Sequence, residues 1–200
     1  FVPNLVSLYD EGVGDEGLYS ELTPPKSSGE RWIGVAPFAK HKGKIYPLDR
    51  MEKVVSKLSE ESRVKIFLFG SGDREREILS LWRERYPGVI SLADKRYGFA
   101  VELSLMSRLD VMISMDSANM HFASLVEVPV VSVWGATHPY CGFLGWRQSD
   151  SGVVELPLDC RPCSVFGNKP CYRKDYACLE IAPETIVDRV KSLETLIKEK

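Results

Sequence analysis

Val111-Met112-Ile113-Ser114-Met115-Asp116-Ser117-Ala118-Asn119-Met120-His121-Phe122-Ala123 begins as an apolar run and ends with helical spacing, with a carboxylate and a hydroxyl at the join. A short apolar run bounded by turn-forming residues reads as a fully buried strand, here 111–114, of the kind found in parallel sheets covered on both faces. The strand would deliver Asp116 and Ser117 to the start of a helix over 117–126. First-turn N–H groups and the helix dipole attract anions, so this turn suits a diphosphate, while Asp116 could accept hydrogen bonds from sugar hydroxyls. The residues also admit a plainer reading, in which Asp116 or Ser117 only caps the helix and His121 sits in the core.

The same rhythm extends in both directions. Further apolar runs at 32–36, 64–69, 89–92 and 130–134 alternate with amphipathic stretches at 48–59, 74–86 and 99–107. Strands alternating with helices imply a parallel sheet, so the expected fold is α/β, a Rossmann-like parallel sheet with helices on both faces. Pro183 and Glu184 open a last helix, 183–198, with Ile186, Val190, Leu193 and Ile197 on one stripe. Residues 1–30 are rich in Gly, Pro, Ser and acidic residues and read as a linker or connecting arm, which leaves 31–200 as the domain.

Ligands of such sheets bind beyond the carboxyl ends of the strands. After the first strand comes Pro37-Phe38-Ala39-Lys40-His41-Lys42-Gly43-Lys44, a cationic loop suited to a phosphate or, more simply, a solvated surface. After the second comes Phe69-Gly70-Ser71-Gly72-Asp73. Its glycines allow close backbone approach and Asp73 could meet ribose hydroxyls, or could merely cap the next helix. After the fifth comes Trp134-Gly135-Ala136-Thr137-His138-Pro139, so four loops converge on one edge.

With 44% apolar and 27% charged residues, 200 residues fit one globular domain. The net charge of -2, with both signs interspersed, gives no basic footprint for nucleic acid. No apolar run approaches the roughly 20 residues of a membrane helix, and a soluble, cytoplasmic protein is expected. Cys160-Arg161-Pro162-Cys163, Cys171 and Cys178 lie in a loop over 157–180, a layout able to form a structural tetrahedral zinc site; free thiols or disulfides are the alternatives.

The ordered set APFAKHKGKIYP, FLFGSG, SMDSANMHFASL, PVVSVWGATHP and CLEIAPETIVDRV resembles the carboxyl-terminal domain of family nine glycosyltransferases, the group containing the bacterial lipopolysaccharide heptosyltransferases. The resemblance implies one half of a two-domain GT-B architecture, the half that binds the activated sugar. Lys44-Ile45-Tyr46-Pro47 stands where the family has Lys-x-Trp-Pro, so Lys44 would contact the donor phosphate, assisted by Lys40. Asp116-Ser117-Ala118-Asn119-Met120-His121 stands for Asp-Thr/Ser-Gly-x-x-His, with Asp116 on the sugar and the amides after it on the diphosphate; Ala118 replaces Gly. Gly70, Gly72 and Asp73 resemble the ribose or base contact. The family's amino-terminal domain, with the acceptor site and general base, is not among these residues, so they are expected to hold no catalytic residue. Alone they would bind donor without turning it over. Removing Lys44 is then expected to weaken diphosphate binding and spare the fold. The implied activity is inverting transfer of a sugar, heptose from ADP-heptose, onto the lipopolysaccharide core, with no catalytic metal and with the full enzyme cytoplasmic or peripheral at the inner membrane. A GT-B-fold sugar-nucleotide epimerase and a non-catalytic nucleotide- or partner-binding module are the alternatives.

Overall fold

In a computed structural model, which describes residues 16–198, six strands form a single parallel sheet. They are β1 (Arg31–Ala36), β2 (Val64–Leu68), β3 (Val89–Ser91), β4 (Val111–Met115), β5 (Val130–Trp134) and β6 (Val153–Glu155). The order across the sheet is β3-β2-β1-β4-β5-β6. Five of these were expected from their apolar runs. The three residues of β6 lie in a polar context and were not.

Side chains alternate between two cores, as a pleated strand dictates. Ile33, Val35, Ile66, Leu68, Val111, Ile113, Val131 and Val133 face one core, while Trp32, Ala36, Phe67, Met112, Val130 and Trp134 face the other. The first core is closed by α1 (Leu48–Ser59), α2 (Asp73–Arg85) and α5 (Pro183–Lys198). The second is closed by α3 (Phe99–Met106) and α4 (Ala118–Leu125). Each fully buried aliphatic side chain contributes about 1.5–3 kcal/mol.

Residues 1–15 of the expected arm lie outside the described residues. From Glu16 the chain makes a 3₁₀ turn to Tyr19, whose buried ring packs edge-on against Trp32 with centroids 5.9 Å apart. This part of the expected arm therefore packs on the domain. Among the described residues no helix is long and apolar enough to cross a membrane.

The helix after β1 covers one face of the sheet and the helix after β4 the other, although β1 and β4 are neighbours. Their carboxyl ends therefore diverge and leave a crevice, the topological switch point where doubly wound sheets hold ligands.

Candidate functional site

A cleft of about 690 Å3 opens at that switch point. Its walls include Lys40, Lys44, Gly70, Asp116, Ser117, Ala118, Asn119 and His121, all expected from the sequence. Gly72 and Asp73 lie instead in an adjoining hollow of about 500 Å3, which shares Gly70, Ser71, Leu92, Phe99 and Glu102 with the cleft. Asp73 points to solvent, is paired with Arg76 at 2.9 Å and does not cap its helix. The cap position belongs to Gly72, whose φ of +81° suits a residue without a β-carbon.

Lys44 and Asp116 meet. The Lys44 Nζ lies 2.8 Å from Asp116 Oδ2, with the side chains only 13% and 4% exposed. The same oxygen accepts a 2.7 Å hydrogen bond from the Thr137 hydroxyl, so loops after β1, β4 and β5 join at one carboxylate oxygen. Asp116 is not a helix cap, because the cap position of α4 falls on Ser117 and no side chain caps there. His121 is exposed and faces the cleft, which removes its reading as a core histidine. The first turn of α4, Lys40 and the Lys44–Asp116 pair thus lie together at one end of the cleft.

Tyr46 stands where the resemblance leads one to expect Trp. Its ring is fully buried and its hydroxyl donates to the Ile181 carbonyl at 2.7 Å, a bond an indole at this place would have to make differently. Burial pushes its pKa up to about 12, so the phenol stays neutral. That bond ties the lysine loop to the start of α5.

Several wall residues were missed. Phe143 and Phe166 pack at a tilt of 54° with centroids 5.7 Å apart and line the cleft from loops that carry no periodic signal. Glu75 lies two residues beyond Asp73 and accepts the Ser71 N–H at 2.8 Å. Its place in the first turn of α2 was the available signal. Glu102 lines the cleft from α3 and was hidden inside an apolar helical pattern.

The rim is tied together through backbone. The Ala136 N–H donates to the Gly43 carbonyl at 2.8 Å, and the Cys163 N–H donates to the Ala136 carbonyl at 2.8 Å. Gly135 allows this approach, since a β-carbon there would sit 2.3 Å from Gly43 O and 2.5 Å from Leu179 Cδ2. Gly135→Ala should therefore displace the segment that carries Lys44. A loss of about 1–3 kcal/mol is expected, together with weaker nucleotide binding. Thermal melts and calorimetric titration check both, and unchanged values would show that the Gly43 loop yields freely.

Arg161, between the paired cysteines, is the buried fastener of this rim. With a side chain 2% exposed, it donates to the carbonyls of Gly135 at 2.5 Å, Leu156 at 2.8 Å and Thr137 at 2.8 Å, and to Glu155 at 2.8 Å. The cysteines themselves are free. Cys163 Sγ faces the Cys160 carbonyl at 3.6 Å and Cys171 Sγ faces Asp175 at 4.0 Å. Among the described residues no three His, Cys, Asp or Glu side chains are grouped to hold a metal ion. The four expected cysteines share one loop, where burial with the neighbouring Cys171 and Cys160 pushes the Cys163 thiol up. Burial pushes the Cys178 thiol up to about 11, which keeps it protonated.

Residues 15–171 match glycosyltransferase family 9 (heptosyltransferase). The chain is 25% identical over 172 residues to lipooligosaccharide heptosyltransferase 2 of Campylobacter jejuni, covering 84% of this chain and 53% of that protein. It is similar in fold to E. coli ADP-heptose lps heptosyltransferase II, with a TM-score of 0.66 at 18% identity over 100% of this chain and 54% of the other. It is also similar to the E. coli heptosyltransferase WaaC with ADP-2-deoxy-2-fluoro heptose, with a TM-score of 0.61 at 16% identity over 88% of this chain and 46% of the other. The chain spans about half the length of these relatives. The parallel six-stranded sheet is that of these GT-B glycosyltransferases.

Proposed function

Because the chain belongs to glycosyltransferase family 9, we propose that it forms the donor-binding half of an inverting glycosyltransferase that transfers heptose from ADP-heptose in lipopolysaccharide core synthesis. The observation that carries this is the convergence of Lys44 and Asp116 at the N-terminus of α4, inside the switch-point cleft. A cation and the first-turn amides of a helix suit the departing diphosphate, whose charge grows as the glycosidic bond breaks. The buried carboxylate beside them suits the hydroxyls of the transferred sugar. Attack by an acceptor hydroxyl on the opposite side of the anomeric carbon needs a general base, which this reading assigns, with the acceptor site, to a domain outside these 200 residues. The chain alone then binds donor and transfers nothing.

Titration of the chain with ADP and with ADP-heptose tests this. Both ligands should bind, ADP-heptose more tightly, and Asp116→Asn should erase most of the difference while leaving ADP binding largely in place. Failure of the wild type to bind either ligand would overturn the reading, and equal losses for both ligands would remove Asp116 from the sugar.

A further inference from the structure

The cleft has two chemically different ends. The cations and the first turn of α4 occupy the end over β1 and β4. Toward β2 and β3 the cleft runs past Gly70 and Ser71 to Leu92, Phe99 and Glu102. There Leu92 is buried and the Phe99 ring is 63% exposed, held edge-on by Phe122 at 5.2 Å. An exposed aromatic face beside an aliphatic floor is a stacking surface for a planar ring.

Glu102 lies one helical turn after Phe99, so both side chains share a face of α3. The other two carboxylates of the cleft each have protein partners on one oxygen, Asp116 with Lys44 and Thr137 on Oδ2 and Glu75 with the Ser71 N–H on Oε2. Glu102 has no hydrogen-bond or ion-pair partner among the described residues, and burial alone pushes its pKa up. A half-buried acceptor without a donor gains from any ligand that supplies one.

Building on the donor-site reading above, we propose that Glu102 is the residue that reads the base of the nucleotide. The base lies on Phe99 and Leu92, and its exocyclic amino group donates to the Glu102 carboxylate. The residue thereby favours adenine, whose amino group offers N–H donors, over uracil, whose ring N–H is flanked by two carbonyl oxygens that a carboxylate repels.

The test is calorimetric titration of ADP and UDP against the chain and against Glu102→Gln and Glu102→Ala, with a melting curve for each protein. Wild type should prefer ADP, and both variants should lose about tenfold or more of that preference, chiefly through weaker ADP binding. Their melting temperatures should stay near wild type, because Glu102 holds no structural partner. A preference for ADP that neither variant alters would overturn the base assignment and leave the donor site standing. Absence of binding by both nucleotides in the wild type would overturn the donor site and this proposal with it.

Discussion

Lys44→Met is expected to destabilise the protein and abolish its diphosphate binding together. The sequence taken alone predicts weaker diphosphate binding and an intact fold, because it shows a lysine in an exposed-looking cationic loop. In the structure the ammonium is the partner of a carboxylate that is almost wholly buried. Removing one member of a buried ion pair leaves an uncompensated charge, which costs about 3–5 kcal/mol. Thr137 still donates to Asp116, so the lower end of that range is expected. The double substitution Lys44→Met with Asp116→Leu should recover part of the stability, since no charge is then stranded, yet nucleotide binding should stay lost. Urea unfolding of the four proteins of this cycle, with ADP titration of each, separates the structural from the ligand-binding role. A Lys44→Met variant as stable as wild type would show that Asp116 finds another partner or a proton at no cost.

Arg161→Met is expected to be the more damaging change to the fold. One guanidinium satisfies three backbone carbonyls and Glu155 from a site sealed from water. Each buried acceptor left without a donor costs about 1–3 kcal/mol. Even with relaxation a loss of about 4 kcal/mol is expected, which at this chain length corresponds to a fall of about 10 °C in Tm. Arg161→Lys should recover little, because an ammonium cannot reproduce the planar fork of donors. Differential scanning calorimetry reads the effect. A Tm within a few degrees of wild type for Arg161→Met would mean that water replaces the guanidinium in the rim.

The sheet was legible because its inner strands are unbroken apolar runs. 111–115 and 130–134 are buried at every residue, and runs this short, bounded by turn-forming residues, fit a strand covered on both faces better than a helix of ten or more residues. The cleft was legible to the extent that strand ends announce it, which is why Lys40, Lys44, Gly70 and most of the turn after β4 could be placed at its edge. What stayed hidden depends on partners distant in sequence. Asp116 looks alike as a cap and as an ion-pair partner until Lys44, 72 positions earlier, is placed beside it. Arg161 was obscured by the cysteines around it, because the carbonyls it holds belong to the β5 loop and to a segment before it. Glu102 is the one charged residue of an otherwise apolar helix, and only the sheet order turns it toward a cavity.

The shape of the sheet also governs how the molecule meets its own copies. Its four inner strands have five or six residues rich in valine, isoleucine and aromatics, segments that in an extended chain favour intermolecular pairing. The strands at the two margins, β3 and β6, have three residues each. They offer a visiting chain too little unpaired backbone to template a new strand. The folded domain thus guards its adhesive segments with short borders, and the hazard of aggregation belongs to the chain before it folds.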